Sequence, residues 1–124
     1  MGLFGAGSGP RTAKQVTGQA AEDAALDYLQ KQGLTLLQRN FRCKGGEIDL
    51  ILQHRDTLVF VEVRKRADVR FGGAAASITA SKQTRLILAA LVFLQRYRVP
   101  PACRFDVIAF DGAHLSWLKN AIEA

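Results

Sequence analysis

Apolar and polar positions alternate in two runs near the middle of the chain, "EIDLIL" (47–52) and "TLVFVEV" (57–63). Both are dense in β-branched and aromatic residues, and the polar QHRD between them suits a turn, so the pair predicts a β-hairpin. "LTLLQRNFR" before them reads as a strand, and "CRFDVIAF" well after them as another. Helical spacing takes over elsewhere. In "TGQAAEDAALDYLQKQG", Ala21, Ala25 and Leu29, with Ala24 and Tyr28, recur on one face. Thr17 is the expected N-cap of that helix and Gly33 its stop. A second helix is predicted over 81–98, ended by Pro100 and Pro101. Its middle, "LILAALVFL", is apolar nearly all round, as for a helix packed on a sheet or shared with a partner subunit. "HLSWLKNAI" reads as a short strand or a helical turn. The order helix, strand, strand, strand, helix, strand predicts an α/β sandwich with a mixed central sheet. Residues 1–14, rich in Gly, read as a flexible tail before a single domain over 15–124.

Composition narrows the picture only a little. A chain of 124 residues holds one core, and 48% hydrophobic with 23% charged residues is ordinary for a globular domain. The net charge of +6 favours an anionic partner such as nucleic acid or an acidic membrane surface. The longest apolar run, 86–94, is too short to span a bilayer, and the start shows no signal-peptide pattern. Ala6 stands where a myristoylation signal wants Ser or Thr. Cys43 and Cys103 are far apart, with no zinc-type spacing and no disulfide framework. The expectation is a cytoplasmic protein without a membrane partner.

The hairpin carries the candidate chemistry. Side chains alternate along a strand, so Glu47, Asp49 and Ile51 share one face of the first arm, and Leu58, Phe60, Glu62 and Arg64 one face of the second. If the hairpin closes on Arg55–Asp56, Asp49 lies directly opposite Glu62, and Glu47 opposite Arg64. Facing carboxylates repel unless a cation lies between them or one takes up a proton. A hard divalent ion such as Mg²⁺ takes oxygen ligands and suits such a pair. A one-residue bulge would instead break the register and leave two solvated hairpin carboxylates, and the pattern fits either arrangement.

"GEIDLI", the thirteen residues from Asp49 to the glutamate of "VFVEVRKR", then "RFGGAAASIT" and "CRFDVIAF", closely resemble the YraN family of small uncharacterised bacterial proteins. The resemblance runs from about Gly18 to Trp117. That family is similar in turn to Holliday-junction resolvases and other PD-(D/E)XK nucleases, which implies a restriction-endonuclease-like core. It also implies a site in which acidic residues bind Mg²⁺ or Mn²⁺ and activate water against a phosphodiester. Matched residue by residue, Asp49 is the motif aspartate, with Ile48 in place of the usual proline. Glu62 is the glutamate, Val63 the intervening residue, and Glu22 the helix glutamate that resolvase-like members bring to the metal. Arg64 departs from the pattern, since relatives carry lysine there to position or deprotonate the attacking water. Arginine stays protonated, with a pKa above about 12, so it cannot act as a base. It remains able to orient a water or stabilise charge on the phosphate, or simply to pair with Glu47 across the hairpin. Alternation points Lys65 to the opposite face.

Beyond the pair, Arg66, Arg70, Lys82 and Arg85, with Gly72–Gly73 and a Ser/Thr-rich helix start, suit a phosphate backbone or an ordinary basic surface. Gln83, His54 and His114 read as surface residues, Asp106 as a salt-bridge partner for a nearby arginine, and Trp117 as a core or interface anchor. No Walker or dinucleotide fingerprint is present. Three functions stay open: a metal-dependent endonuclease acting on nucleic acid, DNA above RNA and branched DNA in particular; a non-catalytic DNA- or RNA-binding protein with a degenerate site; and a protein–protein interaction module. A resolvase would require two sites and hence a homodimer.

Overall fold

The computed structural model describes residues 13–65 and 78–122, with side chains from Gly18 onward. Its elements run α1 (Ala13–Lys31), β1 (Thr35–Cys43), β2 (Gly46–His54), β3 (Thr57–Lys65), α2 (Ala80–Leu94), β4 (Ala102–Asp111) and β5 (His114–Leu118). The five strands form one sheet in the order β1-β2-β3-β4-β5. β1, β2 and β3 are antiparallel neighbours, β3 and β4 are parallel across the α2 connection, and β4 and β5 close an antiparallel hairpin. This is the mixed α/β sheet that the patterning predicts, and it is consistent with a restriction-endonuclease-like core. "HLSWL" resolves as a strand.

Each helix covers one face. Ala21, Ala25 and Leu29 of α1 pack with Leu50, Leu52, Val59, Val61 and Ile108. Leu86, Ala89, Ala90 and Phe93 of α2 pack with Ile48, Ile51, Phe60, Phe105 and Val107 on the other side. Strands β3 and β4 are buried on both faces, which is why "LVFV" and "DVIAF" are almost continuously apolar rather than alternating. The apolar run of α2 is not enclosed all round: Leu88 (40% exposed) and Leu91 (58%) face outward.

Both helices end differently from expectation. α1 begins at Ala13, so Thr17 lies inside it rather than capping it, and the helix takes in two residues read as tail. α2 is capped by Thr79, whose Oγ1 accepts from the Lys82 amide at 3.1 Å, and it stops at Leu94. The amides of Gln95, Arg96 and Tyr97 reach back three residues instead of four, and the Arg96 guanidinium lies 3.7 Å from the Phe93 ring centroid. That tightening spends the last carbonyls of the helix four residues before the expected end at Arg98. No helix among the described residues is long and apolar enough to cross a membrane.

Candidate active site

The hairpin does close on Arg55–Asp56, with Arg55 in the left-handed region at φ 59°. Five rungs, from His54↔Thr57 to Leu50↔Val61, keep the register that faces Asp49 toward Glu62. The described β2–β3 ladder stops one rung short of that pair. The outer ladders run on, β1–β2 to Cys43↔Gly46 and β3–β4 to Lys65↔Phe110. β2 and β3 therefore part at the two carboxylates. Beyond that point the Val63 amide donates to Asp49 Oδ2 at 2.8 Å, so a side chain takes a hydrogen bond from the strand backbone.

The expected sharing of a face by Glu47, Asp49 and Ile51 is overturned by a local reversal. Ile48 and Ile51 both pack toward α2, three residues apart, while Leu50 and Leu52 pack toward α1. β1 reverses at the same level: Arg39 pairs with α1, whereas Phe41 stacks edge-on against Phe93 of α2. Between them Asn40 adopts φ 51°, a left-handed conformation that Asn tolerates better than most residues. The sheet thus turns over at Asn40 and Asp49, and Asp49 is directed between the two faces.

Glu62, 8% exposed, sits on the α2 side, and Asp49 is within side-chain hydrogen-bonding reach of it. Burial is the largest influence on Asp49, followed by the charge of Glu62. With a smaller push from Glu22 they raise its pKa to about 7, against the Val63 amide, which favours the ionised form. Glu62 Oε2 also accepts from Lys82 Nζ at 3.3 Å and lies 3.7 Å from Arg64 Nη1.

Glu22, on α1, is near enough to act on Asp49 electrostatically, but its Oε1 is held by Arg39 Nη2 (3.2 Å) and Asn40 Nδ2 (3.3 Å). Among the described residues no three Asp, Glu, His or Cys side chains converge into a metal-holding group. The donor set that fits a hard divalent ion is therefore the Asp49–Glu62 pair, with water completing the coordination. Glu47 lies 4.0 Å from Arg42 Nε and lines a recess with Glu62, Lys82 and Arg85. Arg66 and Arg70 lie outside the described residues.

Three features of the site escape the sequence. Lys82 contacts a carboxylate 20 residues earlier, which no local pattern encodes. Asn40 offers only its tolerance of positive φ as a signal. Gly46 is the third: a methyl group there would overlap the Arg85 carbonyl oxygen, so glycine is what lets α2 dock directly on the start of β2. The remaining candidates are structural. Gln83 Nε2 donates to the Ile78 carbonyl at 3.2 Å, and Asp106 is held by Arg104 Nε at 3.0 Å.

Comparison with known proteins adds a family. The model of the uncharacterised protein family UPF0102 matches residues 21–110, which include Glu22, Asp49, Glu62 and Lys82. UPF0102 protein HEAR0176 of Herminiimonas arsenicoxydans is 71% identical over 115 residues, covering 93% of each chain. A UPF0102 protein of Janthinobacterium sp. (strain Marseille) is 70% identical over 115 residues, covering 93% of this chain and 94% of its own. UPF0102 protein PputGB1_4524 of Pseudomonas putida (strain GB-1) is 54% identical over 121 residues, covering 92% of this chain and 98% of its own.

Proposed function

The chain belongs to the uncharacterised protein family UPF0102, and from the geometry of its carboxylate pair we propose that it is a metal-dependent nuclease acting on nucleic acid, DNA in the first instance. The observation that carries this reading is the parting of β2 and β3 at Asp49 and Glu62. The sheet holds two carboxylates where backbone pairing stops, and burial with the charge of Glu62 raises the Asp49 pKa to about 7 as the consequence. A purely structural pair would not need that repulsion.

Asp49 and Glu62 are the ligands for Mg²⁺ or Mn²⁺, which when bound supplies Lewis-acid charge at the scissile phosphate. Glu22, whose Oε1 is engaged by Arg39 and Asn40, contributes to the site directly or through water. Arg64, Lys82 and Arg85 provide positive charge for the phosphate, and Arg66 and Arg70 follow in sequence to extend it along the backbone. Cleavage of a branched junction would require two such sites, and so a homodimer.

The test is cleavage of labelled four-way-junction, flap, single-stranded and linear DNA with Mg²⁺ or Mn²⁺. Cleavage by the native chain that disappears in Asp49→Asn and Glu62→Gln, with the fold retained by circular dichroism, is the expected result. No cleavage of any substrate with either ion overturns the nuclease. Salt-dependent DNA binding in that case would support the non-catalytic binder.

A further inference from the structure

Two cations approach Glu62 by different routes. Arg64, two residues along the same strand, brings Nη1 to 3.7 Å from Oε2, a charge contact beyond hydrogen-bond reach. Lys82 donates to that same oxygen at 3.3 Å from another element altogether. Its position is fixed from two sides. The Thr79 hydroxyl accepts from the backbone amide of Lys82 itself, which sets the first turn of α2. Gly46 then seats that helix against β2, with nothing but backbone between Gly46 and the Arg85 carbonyl.

The chemistry of the two side chains sorts them further. An ammonium carries three rotatable donors, so Lys82 is able to hold Glu62 and a second oxygen together. A guanidinium presents a planar fork matched to two oxygens of one phosphate. Lys82 also shares with Glu47, Glu62 and Arg85 a recess that opens beside Glu62, so a second oxygen has room there.

We propose that Lys82 is the cation that serves the carboxylate pair: a positioning residue, delivered from α2, that orients Glu62 and the water or phosphate oxygen beside it, while Arg64 serves the phosphate backbone. The assignment rests on the nuclease reading and names which of its cations works at the reacting centre.

The test compares the full-length native chain with Lys82→Met, Lys82→Arg and Arg64→Met, reading cleavage kinetics and, separately, Mn²⁺ binding by calorimetry. Lys82→Met is expected to lower kcat about 100-fold, as loss of one preorganised donor does, with little change in KM. Lys82→Arg should recover part of that loss, and Arg64→Met should act mainly on KM. Mn²⁺ should bind Lys82→Met several-fold more tightly than native and Arg64→Met less so, because a positive charge on a ligand oxygen opposes a second cation. Native kcat in Lys82→Met, or a larger kcat loss in Arg64→Met, overturns the proposal. If the native chain cleaves nothing, the nuclease reading fails on its own and the Mn²⁺ titration decides the place of Lys82. Tighter binding in Lys82→Met than in Arg64→Met upholds it as the cation of the pair. Equal or reversed effects, or no Mn²⁺ binding by any of the chains, overturn it.

Discussion

Asp106 and Asp49 are carboxylates enclosed in the same sheet, and their surroundings differ in kind. Asp106, 0% exposed on β4, accepts from Arg104 Nε (3.0 Å), the Trp117 indole (2.9 Å) and the Asn120 amide (2.8 Å). Its charge is matched by a guanidinium and both of its oxygens are engaged, so the low-dielectric interior holds it without strain. Asp49 faces a second carboxylate, feels a third, and has a single described backbone donor in compensation. A buried charge with a full set of donors ties strands together. A buried carboxylate set against its own kind is instead pushed toward taking up a proton, as Asp49 is.

That contrast breaks most visibly at Asp106. Asp106→Ala strands Arg104 beside an apolar core and should destabilise the protein by about 3–5 kcal/mol in urea or guanidinium unfolding. A loss under 1 kcal/mol would mean that the network contributes little to stability. Gly46→Ala probes the frame around the other carboxylates. The new methyl meets backbone rather than a yielding side chain, so a loss of about 1–3 kcal/mol is expected, with cleavage falling because Lys82 is displaced from Glu62.

Asp49→Asn should have the opposite sign. The folded state binds a proton on Asp49 more tightly than the unfolded chain does, so native stability falls as pH rises from about 4 through about 7. The variant escapes that loss and should exceed the native chain by about 2 kcal/mol at pH 8, after allowance for solvent screening. Melting curves at pH 4 and pH 8 check it, and a gap that does not widen with pH would place Asp49 among the compensated carboxylates. The smallest effect belongs to Thr79→Ala, which removes the cap that orients Lys82 and should cost about 1 kcal/mol.

Much of this arrangement was legible in the chain because it depends on local pattern. The two β-rich arms and their polar turn specify the hairpin, and five observed rungs follow from them. The salt bridge from Asp106 to a nearby arginine was legible too, since Arg104 sits two residues away on the same strand. Alternation could not reveal the reversal at Asn40 and Asp49, because it presumes an unbroken extended backbone, which the φ of 51° at Asn40 interrupts. Nor could it reveal where α2 ends, since an apolar run marks burial but not the residue at which backbone bonding tightens. The meeting of Lys82 with Glu62 depends on how a helix docks on a sheet, and the deciding residue, Gly46, has no side chain to announce it.

The reversal in β1 has a consequence away from the carboxylate pair. β1 is an outermost strand of the sheet, and unpaired strand edges invite other chains to add on in register. This edge is poorly suited to that. Its register shifts between Leu36 and Gln38, its backbone turns left-handed at Asn40, and Arg39 and Arg42 place charge along it. The irregularity that directs Asp49 between the faces also spoils the template for a sixth strand, so the same few residues guard the protein against edge-to-edge aggregation.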